Sequence, residues 1–334
     1  MDKISLPTTA VIHITENCTH KCAFCYAGKG LGLHKTADIK VLYLIIDKLD
    51  HAGIKTVCLL GGDPVKYPFI IELLKYIKNN SKIRASLMSN TFLPEKGTFD
   101  DLINYIDLAE TTIHGIDSYS HDAFCGVNGA YDNLVEKLLL LSNRGVIIGL
   151  AINVIPANHD LIFDMVSNFN SKILNNLSHI VVQRIIPSGR AEKNKNYFLT
   201  KNQVNTAMEQ IDKINRILKI DISIEDPFPL CIVEPNYHKY MHRCEWGISK
   251  FSLNAEGYLS RCGATPNQTI GNILDIDFYE LWNNTNQLVE FREMRYLSDR
   301  CVQCDNKLIC GGGCPISAKT NTLGVDYLAD EVFS

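Results

Sequence analysis

Thr9-Ala10-Val11-Ile12-His13-Ile14 is a short apolar run, and close behind it comes Cys18-Thr19-His20-Lys21-Cys22-Ala23-Phe24-Cys25. The run reads as a β-strand, which places the C-x3-C-x2-C cysteines on the loop directly after it. Three thiolates at this spacing can converge on one metal centre, and soft sulfur suits iron–sulfur or zinc. A closed zinc site wants a fourth ligand, and His20 lies too close in the chain to be an obvious one. Three cysteines on a four-iron cluster leave one iron open instead. A structural zinc knuckle is the competing reading of the trio.

Outward from this stretch, short apolar runs alternate with amphipathic ones to about residue 185. Ile39, Leu42, Ile46 and Leu49 share one helix face, which Gly53 can end. Thr56-Val57-Cys58-Leu59-Leu60 is a buried-strand run stopped by Gly61-Gly62. Phe69 to Ile77 is helical in pattern, and Ala85 to Met88 a short strand. Leu108 to Ile113, Val146 to Val154 and Ile180 to Val182 complete six candidate strands. Repeated β-then-α units imply parallel strands, here an α/β partial (β/α)6 TIM-like barrel rather than a closed eight-stranded one. Loops after such strands lie on the face where barrel enzymes do chemistry. A polar linker at 191–196 and a helix around 200–218 follow, and regular patterning weakens beyond Asp226-Pro227-Phe228-Pro229. Residues 1–225 are expected to form the barrel with its connecting helix, and 226–334 a cysteine-rich iron–sulfur domain.

The 334 residues are 46% hydrophobic and 21% charged, the balance of a globular protein with a sizeable core. A formal net charge of −4 gives no basic surface for nucleic acid. No apolar run approaches the ~18–20 residues that cross a bilayer, and the N-terminus lacks a signal-peptide core. The expectation is a cytoplasmic protein. In a reducing compartment its twelve cysteines suggest metal binding rather than a disulfide framework, the more so because they bunch.

Phe24 inside the cysteine trio makes the motif C-x3-C-x-aromatic-C, and here the chain resembles the radical S-adenosylmethionine superfamily. The resemblance extends to Gly61-Gly62-Asp63-Pro64, where the family usually has Gly-Gly-Glu, and to the stretch from Ile113-His114-Gly115 through Gly126 and Gly129. It implies a [4Fe–4S] cluster on Cys18, Cys22 and Cys25 that cleaves S-adenosylmethionine to a 5′-deoxyadenosyl radical. Gly61, Gly62 and Asp63 are implied to contact the methionine amino group, and Ser89-Asn90 and Asn153 to reach the ribose or carboxylate. Cys125 stands where related sequences often carry Arg. It is a candidate hydrogen donor to a carbon radical, whereas Cys58 reads as a core residue.

A second cysteine field comprises Cys244, Gly257 and Cys262, then Cys301-x2-Cys304-x5-Cys310-x3-Cys314 with Gly311-Gly312-Gly313 inside the last interval. This resembles the SPASM extension, which houses auxiliary iron–sulfur clusters, except that its usual final cysteine is missing. The resemblance implies one auxiliary cluster on Cys244, Cys262 and Cys314, with upstream Cys231 as a candidate fourth ligand. A second would use Cys301, Cys304 and Cys310, its fourth ligand vacant or drawn from Asp326 or Asp330. A single auxiliary cluster and a zinc ribbon are the alternatives.

A SPASM-like region makes a ribosomally synthesised precursor peptide the leading substrate, modified by crosslinking, thioether formation or epimerisation. The implied partners are a low-potential electron donor, flavodoxin or ferredoxin, and a separate leader-peptide recognition protein, since the chain starts close to its first strand. The other readings are radical oxidation of a small molecule such as a tetrapyrrole or alcohol, and a non-enzymatic iron–sulfur or zinc-binding protein.

Overall fold

The computed structural model describes residues 6–27, 36–265, 268–318 and 324–329. Ten strands are described: β1 (Thr9–Thr15), β2 (Thr56–Gly61), β3 (Arg84–Met88), β4 (Leu108–Ile113), β5 (Ile148–Val154), β6 (Leu177–Arg184), β7 (Asp221–Ile224), β8 (Lys250–Leu253), β9 (Tyr258–Ser260) and β10 (Thr269–Asn272). They fall into two compact units that interleave along the chain. One comprises Met1–His20, Lys29–Glu110 and Glu245–Arg295, the other Lys21–Gly28, Thr111–Cys244 and Tyr296–Ser334.

In the first unit β1, β2 and β3 run parallel, and Met88 of β3 pairs with Glu110 of β4. Parallel strands are covered on both faces, which is why β1 and β2 read as nearly continuous apolar runs. The helix Ile39–His51 connects β1 to β2. Its N-cap Asp38 accepts from Lys40 N at 2.9 Å, and Leu42, Ile45, Ile46 and Leu49 are buried at helical spacing. Each such side chain contributes about 2 kcal/mol by leaving water. Gly53 then turns the chain at a φ of 80°, a left-handed conformation suited to glycine.

Beyond the six strands expected, β8 lies parallel to β1, with Thr9 opposite Lys250 and Ile12 opposite Leu253. Strands β9 and β10 add antiparallel outside it. Four-residue and three-residue strands are too short to show a period in sequence, and turn residues around them mask what pattern exists.

In the second unit β5, β6 and β7 are parallel, with Leu150 opposite Ile180 and Val181 opposite Ser223. The helix Lys201–Leu218 opens on a capping box between Thr200 and Gln203 and buries Val204, Ala207, Met208, Ile211 and Ile214. Strand β6 ends on Arg184, whose side chain is wholly buried beside that of Asp326. Its Nη1 donates to Asp326 Oδ1 at 3.0 Å and its Nη2 to Pro227 O at 3.0 Å. The guanidinium also lies 5.4 Å from the Phe228 ring centre and 5.5 Å from that of Tyr327. Burial alone would pull the Arg184 pKa down, but Asp326 reverses this and holds it above its usual range. Deleting one partner of such a pair costs about 3–5 kcal/mol, because the other charge stays buried.

His13 on β1 keeps a little exposed surface, but its Nε2 is sealed from solvent, and burial pushes its pKa down to about 4. A histidine held neutral by the fold binds its proton more readily in the unfolded chain. Its contribution is therefore complete above pH 6.5 and drains away as the pH falls toward about 4. Urea unfolding of the cluster-free protein should lose on the order of 2–3 kcal/mol across that window. His13→Gln should flatten this slope; an equal slope in the variant would place the titration elsewhere.

Candidate metal centres

The loop that carries Cys18 is fixed by the turn after β2. Gly62 N donates to Thr15 O at 2.8 Å and Asp63 N to Asn17 O at 2.7 Å. A Cβ on Gly61 would stand 2.1 Å from Thr15 O, and one on Gly62 2.2 Å from Asn17 O. No side chain fits at either position, so the glycine pair is a steric requirement of this packing.

Asp63 is completely buried and gathers the turn after β3. Its carboxylate accepts from Ser89 Oγ at 2.8 Å, Asn90 N at 3.3 Å, Thr91 Oγ1 at 3.3 Å and Val65 N at 3.4 Å. Burial pushes the carboxyl above its usual range, and the donors from Ser89, Val65 and Asn90, with the charge of His20, oppose that. Aspartate in place of the longer glutamate therefore acts here as a strut between turns. Ser89 is buried, and its hydroxyl also accepts from Thr91 N at 3.2 Å and Phe92 N at 2.9 Å, which commits it to the turn. The next side chain, half-buried Asn90, points its Nδ2 at Cys18 Sγ, 4.0 Å away. Nothing in the sequence separates these two neighbours; the Asp63 contacts do.

In the second unit, Cys22 and Cys25 are held by a segment that the sequence left unremarked. Arg190 Nη1 donates to Cys22 O at 3.0 Å, and Arg190 N to Cys25 O at 3.0 Å. Gly189, at a φ of 58°, lies so close that a Cβ would stand 2.4 Å from Cys25 O and 2.3 Å from Tyr26 O. The only signal was local: Pro187-Ser188-Gly189-Arg190 comes two residues after β6. Phe24 is buried against His114 (5.1 Å between ring centres) and against Phe124 and Tyr197 (6.1 Å each). The motif's aromatic residue thus anchors the loop in the core of this unit.

Cys125 is also buried, and its carbonyl accepts from Lys21 N at 2.8 Å. Its Sγ lies within 4.8 Å of that of Cys22. The Cys25 pKa is pushed up by burial and by Cys22, and lowered by the Ala27 amide and Arg190. Crowded, partly buried thiols of this kind favour a bound cation, so the donor set fits a thiolate-ligated metal. Asn153, the last residue but one of β5, is half-buried, its carbonyl accepting from Asn158 Nδ2 at 3.0 Å. Asn158, which the sequence did not single out, also donates to His114 O at 3.1 Å and accepts from Ile155 N at 2.9 Å. Cys58 is buried in β2, as a core residue should be, and sits 3.5 Å from Glu110 Oε2.

Cys231 lines one cavity of about 440 Å³ together with Cys301, Cys304 and Cys310, and is not grouped with Cys244 and Cys314. Cys231 is exposed at this cavity, yet its pKa is pushed up to about 11, by burial first and then by Cys310, Cys301 and Cys304. Cys314 is deeply buried and pushed up to about 12, with Asp226, Cys244 and Asp326 adding to burial and Arg184 opposing it. Asp326 is committed to Arg184 and accepts from Cys314 N at 3.0 Å, which removes it as a cluster ligand. Asp330 lies outside the described residues. Cys262 belongs to the first unit and is buried. None of the cysteines is in a disulfide. Among the described residues no helix is long and apolar enough to cross a membrane.

Residues 12–166 match the radical SAM superfamily, and residues 244–305 match the SPASM iron–sulfur cluster-binding domain. The chain is 22% identical to the antilisterial bacteriocin subtilosin biosynthesis protein AlbA of Bacillus subtilis, over 93% of this chain and 68% of that protein. It is 23% identical to the AdoMet-dependent heme synthase of Nitratidesulfovibrio vulgaris, over 97% of this chain and 92% of that one. The fold matches Streptococcus suis SuiB bound to S-adenosylmethionine with a TM-score of 0.73 at 19% identity, over 96% of this chain and 76% of SuiB. SuiB has also been solved bound to its precursor peptide SuiA, and that structure matches equally well at 0.73 and 18% identity.

The close fit of the glycine pair against β1 makes a direct prediction. Gly62→Ala must displace the backbone at Asn17, and with it Cys18. Anaerobically reconstituted Gly62→Ala should retain ~4 fewer iron atoms per chain than the parent, measured with acid-labile sulfide. Equal iron in the two proteins would show that the loop tolerates the shift.

Proposed function

We propose that this chain, a radical SAM enzyme with a SPASM domain, modifies a ribosomally synthesised peptide. The observation that carries this reading is the SPASM match at residues 244–305, in a chain similar along most of its length to a bacteriocin biosynthesis protein. Likeness in fold to SuiB, solved with its precursor peptide, supports the same class of substrate.

Cys18, Cys22 and Cys25 would hold the S-adenosylmethionine-binding [4Fe–4S] cluster, and the cysteines of the second field the auxiliary iron–sulfur centres. When bound and reduced, the first cluster supplies one electron that splits S-adenosylmethionine into methionine and a 5′-deoxyadenosyl radical, which takes hydrogen from the substrate. The chain's own part is positional. The amides of Gly62 and Asp63 are committed to Thr15 O and Asn17 O, which fixes the turn that would meet the methionine end of the cofactor. Asn90 offers an amide beside Cys18, a donor that would suit a polar group of the cofactor. Arg190 places a positive charge near Cys25, which favours its thiolate form. Phe24, buried among aromatic neighbours, holds the Cys22–Cys25 segment against the core of its unit. A flavodoxin or ferredoxin is the proposed electron donor, and a separate recognition protein the proposed carrier of a leader peptide.

A second reading rests on one observation: the AdoMet-dependent heme synthase is matched over 92% of its length, against 68% for AlbA. It makes a tetrapyrrole side chain the alternative target.

Protein reconstituted anaerobically and reduced with dithionite should release 5′-deoxyadenosine and methionine, and Cys→Ala at Cys18, Cys22 or Cys25 should abolish this. A short peptide encoded beside the gene should then change in mass or in deuterium content. Loss of two hydrogens marks a crosslink or thioether, and deuterium uptake at unchanged connectivity marks epimerisation. An unaltered peptide together with side-chain oxidation of an iron porphyrin would replace the peptide reading with the tetrapyrrole one.

A further inference from the structure

The SPASM pattern ordinarily ends on a cysteine beyond the one at Cys314, and here there is none. We propose that Cys231 takes its place, so that Cys231, Cys301, Cys304 and Cys310 together hold one auxiliary iron–sulfur cluster. The inference rests on the SPASM region binding clusters at all and concerns which thiols close this one.

All four cysteines line the same cavity. Cys231 lies on the short turn Leu230–Ile232. Its segment is already tied to Cys310, because Leu230 N, one residue away, donates to Cys310 Sγ at 3.3 Å. The amides of Gly312 and Gly313 also hydrogen-bond to that sulfur. They can do so because Gly311, Gly312 and Gly313 all take positive φ, at 56°, 74° and 81°. A Cβ on Gly313 would press within 2.9 Å of Pro229, so the glycine run and the segment before Cys231 are in close contact.

Cys231 is also held in place from the other side. The helix Lys201–Leu218 presents Asn205, whose Nδ2 donates to Ile232 O at 2.8 Å and whose Oδ1 accepts from Glu234 N at 2.8 Å. The amide thereby clamps the short turn Leu230–Ile232. A thiol offered from a clamped turn loses little freedom on ligating a metal. The carboxylate competitor is engaged elsewhere: Asp326 pairs with Arg184 and accepts from Cys314 N.

The test uses the full chain with Cys18, Cys22 and Cys25 replaced by Ala, so that auxiliary iron alone is counted after anaerobic reconstitution. Cys301→Ala/Cys304→Ala should lower iron and sulfide, and adding Cys231→Ala should lower them no further. In a Cys244→Ala/Cys262→Ala background, Cys231→Ala should remove the iron that remains. The reverse pattern assigns Cys231 to the other cluster and overturns the proposal. Should the variants fold poorly, peptide mapping after iodoacetamide reads the native thiol. Cys231 should be protected in the Cys244→Ala/Cys262→Ala protein and alkylated in the Cys301→Ala/Cys304→Ala protein; equal labelling in both counts against it. Zinc without sulfide in the site would also overturn it. A starting protein with no auxiliary iron or sulfide would overturn the cluster reading of the whole region, a distinct result from the reversed pattern.

Discussion

Backbone packed on backbone, where Gly61 and Gly62 lie against Thr15 and Asn17, is the constraint from which the first centre is built. Two strands that pair in parallel would normally part company at their ends. Here the glycines let β2 stay in contact with β1 past Thr15, up to the residue before Cys18. The turn after β3 is then drawn in by a single buried carboxylate, that of Asp63. Three strand ends are thereby referenced to each other within one unit. A loop that would otherwise wander acquires coordinates accurate enough to present a ligand.

The second unit solves the same problem with charge. Arg190 grips the carbonyl of Cys22, and Arg184 grips Asp326, which in turn orients the amide of Cys314. Both arginines come from the end of β6 or the segment just after it. One addresses the cysteine loop that follows β1 in sequence, the other a cysteine 130 residues downstream of Arg184. Guanidinium suits both tasks, since it offers several donors in a fixed plane and stays charged when buried.

The alternating strands and helices, the cysteine spacing and the glycine pair were legible in the sequence because each is a local pattern with a period or a fixed interval. What escaped reading was non-local. Ser89 and Asn90 are equivalent candidates on paper, and only the position of Asp63 decides that one is structural and the other faces Cys18. The resemblance offers Cys231 as a candidate for the Cys244 group; that it shares a cavity with Cys301, Cys304 and Cys310, some 70 residues on, is a product of folding. Gly189 and Arg190 gave no periodic signal, and β8 was too short to give one. Asp326 carried the right chemistry for a ligand but was claimed by a cation that sequence distance concealed.

The Arg184–Asp326 pair has a bearing on ancestry. Each charge is sealed from water and is tolerable only in the presence of the other, although 142 residues separate them. A recombination event that exchanged the cysteine-rich end of this chain for that of a relative would strand a guanidinium at the end of β6 unless the incoming segment brought its own carboxylate to the same place. The segment that carries β6 and the cysteine-rich segment are thus bound to be inherited together, or to change in step.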